Sequence, residues 1–271
     1  MSKKQILYIS QEITPYLPET EISMKGRELP QAIQEKGNEI RTFMPKFGCI
    51  NERRHQLHEV IRLSGMNLII DDNDHPLIIK VASIQPARMQ VYFIDNEDYF
   101  ERKAILSDKD GEFFDDNDER AIFFSRGVLE TVKKLGWAPD IIHCHGWMTS
   151  LIPLYLKTSY KNEPLFEKSK VITSLYNDCF SGNLDTDFSK KAMMDGVSET
   201  DIYNFIDPTH EKLCHAAASW SDGVILGSAS SENLVSDLDV PILEFQGDDY
   251  VDAYDDFYNQ ILKQEEKVLA D

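Results

Sequence analysis

The sequence predicts an α/β protein, a Rossmann-like parallel sheet with helices on both faces. Three observations support this fold class. Strand-like and helical segments alternate along the chain, a long amphipathic helix lies near its middle, and a short apolar strand after Asp140 leads directly into polar side chains. Ligands of open parallel sheets bind at the carboxyl ends of the strands, so the same pattern also predicts where a site should lie.

The first elements form a predicted βαβ unit. Residues 5–11 are expected to form a strand, residues 24–37 a helix that ends at Gly37, and residues 39–44 a second strand. From Glu59 to Asp95 the pattern changes to strand-like runs separated by turn-forming residues. This change predicts a β-hairpin-rich insertion.

The clearest helix covers residues 117–136. Its apolar residues recur at steps of three and four, and Asp116 is placed to cap its N-terminus with Glu119 three residues on. Further along, the pattern predicts strands and helices at 141–145, 147–160, 170–175, 210–220 and 223–228, the last being a final strand. This alternation is typical of a parallel sheet covered on both faces.

The simplest domain organisation is one domain over residues 1–240 and an acidic helical tail over residues 241–271. A run of acidic residues is usually a solvated helix face, and this is the interpretation we favour for the tail. The functional alternative is a partner-docking helix, because the tail also carries an apolar stripe that could pack on this domain or on another protein. The stripe consists of Tyr250, Tyr254, Phe257, Tyr258 and Ile261.

Composition and charge exclude several classes of partner. The formal net charge is −19 and the pI is about 4.7, so nucleic acid and anionic membrane surfaces would be repelled, whereas a neutral polysaccharide would not. No apolar run is long enough to cross a bilayer, and the first residues do not form a signal peptide. Four scattered cysteines suit a reducing compartment. We therefore expect a cytoplasmic protein.

Generic catalytic and metal motifs are weak in this sequence. His143 and His145 share one face of a strand, but no third metal ligand is evident by spacing, and Cys214 and His215 diverge on a helix. Neither a GxSxG elbow nor a complete dinucleotide-binding or P-loop motif is found. We expect no metal ion and no cofactor, and we discard NAD and ATP chemistry.

Long motifs identify a family. ILYISQEITPYL, EIRTFMPKFG, DYFERKAI, FFDDNDERAIFFSRGVLE and LGWAPDIIHCHGWMTSLIPLYLK occur in this order between residues 6 and 157. In these motifs the chain resembles the N-terminal half of bacterial glycogen synthase and plant starch synthase, retaining glucosyltransferases of the GT-B fold that use ADP-glucose. The resemblance is weaker from VITSLYNDCFSG to SWSDGVILGS.

The resemblance implies a set of site residues. His145 matches the family's His-Asp-Trp histidine near the reaction centre, and Asp116 matches an Asp-Asn pair at the head of the long helix, although capping would explain it as well. These two are the candidate catalytic residues. Glu12, Asn177 and Trp147 are the candidate substrate-binding residues, although packing on the sheet is the more common role for such a tryptophan.

Several positions depart from the family pattern. The family's acid between the histidine and the tryptophan is Gly146 here, and the histidine before Asn177 is Tyr176. The family's phosphate-binding Lys-Thr-Gly-Gly-Leu loop is replaced by residues 18–22, Pro-Glu-Thr-Glu-Ile, which remove the lysine and glycines and add Glu19 and Glu21. The residues after Ser228 are too few for a second domain of about 100 residues.

Two functional hypotheses remain open. In the first, the protein takes part in glycogen biosynthesis as an enzyme part whose missing domain another glycosyltransferase chain supplies. In the second, it is a non-catalytic descendant that binds an α-glucan or a partner as a scaffold or regulator, which the altered loop favours. The family is one of hexosyltransferases, but we expect this chain alone to be inactive and to bind ADP-glucose weakly or not at all.

Overall fold

The computed structural model describes residues 3–235 and 238–268, with the side chains of residues 232, 233 and 264–268 left aside. Met1, Ser2 and residues 269–271, the last of which end the predicted tail, lie outside the described residues. Within the described ranges, no helix is both long enough and apolar enough to cross a membrane.

Ten strands form the sheet in the part of the chain that is described. They are β1 (Gln5–Ser10), β2 (Glu39–Pro45), β3 (His58–Glu59), β4 (Met66–Ile70), β5 (Asn73–Ile84), β6 (Met89–Asp95), β7 (Ile141–His145), β8 (Lys170–Leu175), β9 (Gly223–Leu226) and β10 (Ile242–Leu243).

The α-helices vary from single turns to 19 residues. They are α1 (Glu21–Glu35), α2 (Glu52–His55), α3 (Glu97–Phe100), α4 (Asn117–Leu135), α5 (Leu151–Lys157), α6 (Phe188–Lys191), α7 (Glu199–Ile202), α8 (His210–Ser219) and α9 (Val251–Val268). Short 3₁₀ helices lie at Trp147–Thr149, Tyr203–Phe205 and Ala229–Val235.

The sheet confirms the predicted fold class. Its order is β10-β9-β8-β7-β1-β2-β6-β5-β3, with β4 paired to β5. The strands from β10 to β6 are parallel, and β5 joins them antiparallel. Along β1, Leu7 and Ile9 face a core that includes α4 and α5, whereas Ile6 and Tyr8 face a second core that includes α1 and α9. The sheet is therefore covered on both faces, as expected.

Some sequence expectations were wrong in detail. The segment predicted as an insertion ends in β6, which pairs in parallel with β2 and so belongs to the main sheet. Residues 61–63 form a turn instead of a strand, and Ile61 is 82% exposed. The strand predicted to be the last, β9, is followed by β10, which was missed because it has only two residues.

The predicted tail contributes to the core of the protein. The apolar stripe of α9 and the residue before it is buried against β1, β7, β8 and β9, and the members of this stripe are Tyr250, Tyr254, Phe257, Tyr258 and Ile261. The opposite face of α9 is exposed and carries acidic residues such as Asp252, whose side chain is 87% exposed. Lys4 of the sheet region donates to Asp255 at 2.6 Å across this contact. The stripe therefore packs on this domain, one of the two placements that were considered for it, and the acidic face is exposed.

Candidate functional site

A pocket of about 250 Å³ lies at the carboxyl ends of β1 and β8. Parallel pairing places these ends on either side of the end of β7, because β1 and β8 both pair with β7. The polar residues that line it are Gln11, Glu12, Thr20, Glu21, Asn177 and Asp178. The pocket is open, and α9 contributes no lining residue to it among those described.

The loop before α1 forms one wall of this pocket, and a capping box fixes its shape. Thr20 accepts a hydrogen bond from the Ser23 amide at 3.0 Å, and Ser23 Oγ accepts one from the Thr20 amide at 2.8 Å. Free backbone amides at helix N-termini attract anions. Here a hydroxyl already occupies the Ser23 amide, and Glu21 adds a negative charge to the first turn.

Close packing of α1 on β1 depends on Gly26. A Cβ atom at this position would lie 2.7 Å from the carbonyl oxygen of Glu12 and 2.9 Å from Oγ of Ser10. Both distances are shorter than real Cβ contacts, so a larger residue would push the helix away from the strand end. Gly26 therefore holds the loop beside Glu12.

Glu12 lies partly buried at the pocket floor. Its Oε2 atom accepts a hydrogen bond of 2.6 Å from Oγ1 of Thr20, and Gln11 lies 3.5 Å from its other oxygen. Burial raises the pKa of this carboxyl group, and nearby Asp178 adds to the rise. The surroundings of Glu12 therefore favour the protonated form of its carboxyl group.

The pocket is electrostatically negative. Glu12, Glu21 and Asp178 contribute carboxylates, and the described lining residues include neither lysine nor arginine. Lys25 is 3.8 Å from Glu21, but its ammonium group donates to the Gly227 carbonyl on the side where α9 packs. Burial lowers the pKa of Lys25. A diphosphate in this pocket would therefore meet carboxylates without a facing cation.

Lys25 is enclosed by aromatic rings. Its nitrogen lies 5.6 Å from the ring centre of Tyr176, 5.1 Å from that of Phe245 and 5.4 Å from that of Tyr250. These contacts are cation–π interactions that partly replace hydration of the ammonium group. The residues before and at the start of α9 thus hold this cation beneath the pocket.

His145 lies beneath the pocket. It is 1% exposed and does not belong to the lining residues. Its Nδ1 atom is hydrogen-bonded to the Tyr176 hydroxyl at 2.7 Å, and its buried Nε2 atom has no protein partner in the described structure. Burial lowers the pKa of His145 to about 3, so the ring is neutral.

Tyr176 separates His145 from the pocket. A Cβ atom on Gly227 would lie 2.5 Å from the Tyr176 ring, so the tyrosine fits only because residue 227 is glycine. The residue before Asn177 is thus a buried phenol bonded to His145. A ligand in the pocket cannot contact His145 in this conformation.

His143 belongs to the same buried layer. Its ring nitrogens are hydrogen-bonded to Tyr258 Oη and Ser174 Oγ, each at 2.7 Å. The ring centre is 3.9 Å from that of His145, and burial together with His145 lowers the pKa of His143 well below its ordinary value. Both nitrogens of His143 are occupied by hydroxyl groups, which leaves neither free for a metal ion.

The surroundings of Gly146 favour glycine at this position. Its φ is +86°, and a Cβ atom there would lie 2.8 Å from Cβ of Gln11. Gln11 fills this space and accepts a hydrogen bond from the Met148 amide at 3.2 Å. An aspartate would therefore not fit at this position.

Trp147 and Asp116 lie outside the pocket. Trp147 is 2% exposed and packs with its ring centre 4.9 Å from that of Phe180, in agreement with a packing role. The predicted cap by Asp116 was wrong: its side chain makes no cap hydrogen bond and instead accepts one from Arg102 at 2.5 Å. Glu119, the expected capping partner, binds Tyr99 and Lys191 instead.

Of the five candidate site residues, the structure brings only Glu12 and Asn177 together in the pocket. Sequence reasoning missed Asp178, whose two oxygens accept a hydrogen bond from the Trp147 amide at 3.2 Å and contact His210 Nε2 at 2.8 Å. It also missed Leu106, an apolar lining residue. The position of Asp178 next to Asn177, just beyond a strand end, was the available signal.

Comparisons with known proteins agree with this fold. The model of the starch synthase catalytic domain family matches residues 5–237. A glycogen synthase of Chlorobium luteolum is 39% identical over 195 residues, which cover 72% of this chain and 40% of that protein. One of Chlorobaculum tepidum is 41% identical over 174 residues, which cover 64% of this chain and 36% of that protein.

A solved structure shares the fold. The catalytic domain of starch synthase IV from Arabidopsis thaliana, bound to ADP and acarbose, aligns with a TM-score of 0.68 at 20% identity and covers 83% of this chain. The alignment covers 45% of that domain. This chain thus spans about 40% of the length of the curated relatives it matches, and less than half of the solved domain.

Proposed function

This chain belongs to the starch synthase catalytic domain family, and from that membership we propose that it acts in α-glucan metabolism as a glycogen or starch synthase-like protein. We further propose that it holds an uncharged glucan segment in the 250 Å³ pocket at the carboxyl ends of β1 and β8. It does not by itself transfer glucose from ADP-glucose. The observation that carries the proposal is the charge of the pocket, which is lined by three carboxylates and, among its described lining residues, by neither lysine nor arginine.

The lining chemistry suits sugar hydroxyl groups. Carboxylates accept hydrogen bonds from hydroxyls, and the Asn177 amide can both donate and accept. Leu106 and Tyr176 supply an apolar patch against which a sugar ring can pack. A neutral oligosaccharide would bring no charge into the acidic field, so its binding requires no compensating lysine or arginine.

ADP-glucose is disfavoured at this pocket for two reasons. Its diphosphate would lie against Glu21, and the amide of Ser23 at the start of α1 is already bonded to Thr20. Electrostatic stabilisation of the leaving group, here the diphosphate, is usually the largest contribution to the rate of such a transfer. Without it in the pocket, the rate of glucosyl transfer by this chain should be negligible.

The candidate residues receive different proposed roles. Glu12 and Asn177 bind the glucan. The catalytic roles that the family implies for His145 and Asp116, and a sugar contact for Trp147, stay predictions. Each would require Tyr176 or the surrounding helices to move, because His145 and Trp147 are buried and Asp116 is paired with Arg102.

We include two further expectations in this proposal. The four cysteines are unpaired and two of them are exposed, which suits a reducing compartment such as the cytoplasm. A glycosyltransferase chain that provides the missing cations is the alternative partner, and it would make this chain an enzyme part. That alternative is favoured by the two family residues, Glu12 and Asn177, that remain in the open pocket.

Gel electrophoresis through glycogen tests the proposal. The chain should be retarded in a gel that contains glycogen, and Asn177→Ala should abolish the retardation. The matched control is Asn67→Ala, an exposed asparagine on β4, far along the sheet from β8. A transfer assay with labelled ADP-glucose and glycogen should give no incorporation above background.

The outcomes separate the two hypotheses. Retardation without glucose transfer supports glucan binding. No retardation of the wild type would contradict the glucan-binding role. Incorporation of label only after a glycogen synthase is added, at a rate above that of the added enzyme alone, would favour the enzyme-part alternative.

A further inference from the structure

A group of reactive side chains lies beside the 250 Å³ pocket. Cys179 Sγ is 3.4 Å from Nδ1 of His210, and Nε2 of the same imidazole is 2.8 Å from Oδ1 of Asp178. A thiol, an imidazole and a carboxylate are thus connected in series. This is the order that thiol nucleophiles require: the base within reach of the thiol, and an acid that orients the base.

The positions of the three groups are fixed by the ends of regular elements. Asp178 and Cys179 follow β8, and His210 is the first residue of α8. Thr209 caps that helix by accepting a hydrogen bond from the Lys212 amide at 3.2 Å. The second oxygen of Asp178 accepts a hydrogen bond from the Trp147 amide. This second hydrogen bond fixes the orientation of the Asp178 carboxylate.

This arrangement determines which nitrogen of His210 can act as a base. A carboxylate only accepts hydrogen bonds, so the contact with Asp178 places the proton of the neutral imidazole on Nε2. Nδ1 then carries the free electron pair and faces the thiol. Cys179 can donate to His210 or, at 3.2 Å, to Oδ1 of Asn177, so a small rotation engages the base.

The thiol is accessible while its surroundings keep it protonated. Cys179 is exposed and lies in the loop whose residues line the 250 Å³ pocket on one side and a 340 Å³ pocket on the other. Burial and the charge of Asp178 raise the pKa of the Cys179 thiol. The resting group is the thiol, so its reaction requires removal of the proton by a base.

We propose that Cys179, His210 and Asp178 form a base-assisted nucleophilic site that accepts acyl groups from uncharged esters. This activity is separate from glucan binding. His210 Nδ1 takes the proton of Cys179 as sulfur attacks the ester carbonyl carbon. The C–O bond then breaks, the departing alkoxide receives that proton from His210, and the acyl group stays on sulfur as a thioester. Asp178 is the positioning residue, because it acts through His210.

Uncharged esters are the class that the surroundings favour. The two neighbouring pockets are lined by Asp115, Asp185, Glu12, Glu21 and Asp178, so an anionic acyl donor would be repelled. Neither pocket has a lysine or an arginine among its described lining residues. An uncharged ester therefore reaches the sulfur without an electrostatic penalty.

The molecule contains two internal controls. Cys49 is exposed and burial raises the pKa of its thiol, but in the described chain no histidine lies within hydrogen-bonding distance of it. Cys214 has its sulfur 3.6 Å from His210 Nε2 but is 4% exposed. The reaction rate of Cys49 measures the reactivity of an exposed thiol without a neighbouring base. Modification of Cys214 would show that the fold has opened and exposed its buried thiol.

Acylation by p-nitrophenyl acetate tests the proposal on the full chain. The acetylation rate of each cysteine is followed by peptide mass spectrometry. General-base assistance contributes roughly 10²-fold or more, so Cys179 should react about 10² times faster than Cys49, while Cys214 stays unmodified. In His210→Gln, Cys179 should react at the rate of Cys49, and added imidazole should restore part of the rate in His210→Ala.

The dependence of the rate on pH distinguishes positioning by Asp178 from a structural role. In the wild type, the Cys179 rate should level off at a lower pH than the Cys49 rate. In Asp178→Asn, both rates should rise with pH in parallel, with Cys214 still unmodified. Equal Cys179 and Cys49 rates in the wild type would overturn the proposal. So would an unchanged ratio in His210→Gln.

Discussion

Two layers of the molecule meet at Tyr176 and differ in what they retain. Above it lies the open pocket, whose loop reads Pro-Glu-Thr-Glu-Ile and contributes a carboxylate and no basic residue to the lining. Below it lies a buried layer in which His143 and His145 are bonded to tyrosine and serine hydroxyls. The two histidines of the IIHCH strand thus lie in the core, while the exposed pocket carries the carboxylates.

The difference shows why a well-preserved motif is weak support for catalysis. His145 is held in place by Tyr176, and His143 by Tyr258 of α9, so both rings have structural partners that explain their presence. The polar side chains of the pocket are held mainly by neighbours in or beside the pocket, as in the hydrogen bond from Thr20 to Glu12. Stability measurements should therefore respond to the buried layer, and binding measurements to the pocket.

The largest expected effect is on the attachment of α9. Tyr258→Ala removes a fully buried ring and leaves His143 without one of its partners, which should lower the free energy of unfolding by about 3–5 kcal/mol. Urea denaturation measures this loss. Tyr203→Ala, at a tyrosine that is 68% exposed, should change it by no more than about 0.5 kcal/mol.

Tyr258→Phe divides that effect into two parts. The ring remains, and only the hydroxyl that contacts His143 and Tyr8 is lost, so the expected loss is about 1–3 kcal/mol. Retardation by glycogen should stay unchanged, because Tyr258 does not line the pocket. A loss of glycogen binding with the fold intact would mean that the two layers are coupled.

The second effect is the dependence of the free energy of unfolding on pH. The folded state lowers the pKa of His145 to about 3, whereas an unfolded histidine titrates near 6.5. Between these values the unfolded chain binds a proton that the folded chain does not, so stability is full above pH 6.5 and falls as pH decreases. The expected slope is about 1.4 kcal/mol per pH unit.

Replacing the ring isolates this contribution. His145→Gln should reduce the dependence of the free energy of unfolding on pH between 6 and 4 by about that slope. His58→Gln, at an exposed histidine, is the matched control and should leave the slope unchanged. A wild-type slope that persists in His145→Gln would show that the ring is not buried in its neutral form.

The third effect lies in the pocket. Glu21→Lys replaces a carboxylate of the lining with a cation at the start of α1, and the affinity for ADP-glucose should rise roughly tenfold. Glu19→Lys makes the same change of charge at an exposed loop residue outside the lining, so its effect should be smaller. Fluorescence titration compares the two. Equal gains would indicate long-range attraction instead of a pocket contact.

The smallest effect is expected at Glu12. Burial raises the pKa of its carboxyl group, so the ionised form is disfavoured in the folded state and Glu12→Gln should stabilise the protein at pH 7 by no more than about 1 kcal/mol. The gain should shrink as the pH falls and the wild-type carboxyl group takes up its proton. Glu35→Gln, on the exposed end of α1, should show no such trend.

Much of the fold could be predicted from periodicity. The long helix was predicted to end at Gly136 and ends at Leu135, with Gly136 as its cap, because the left-handed backbone with φ of 63° suits glycine. The strand Lys170–Leu175 was predicted at its observed bounds. The two-residue strand Ile242–Leu243 was not, because two residues carry no period. The docking of α9 was left open, since an amphipathic stripe does not identify its partner.

The site was less predictable because it is made by contacts that are remote in sequence. The spacing of Asp178 and His210, or of Lys25 and Gly227, gives no sequence signal, and both pairs form only when strand ends and helix starts meet. Asp116 satisfied the local rule for a helix cap, yet Arg102 forms a stronger charged contact with it. Local rules therefore predicted elements better than they predicted partners.

Calorimetric titration of ADP-glucose and of maltoheptaose into the 271-residue chain tests the central claim most directly. The account predicts saturable heat with maltoheptaose that is lost in Asn177→Ala, and no measurable heat with ADP-glucose. Micromolar binding of ADP-glucose that is lost in His145→Ala would contradict it, because the buried histidine would then have to reach a ligand in the acidic pocket.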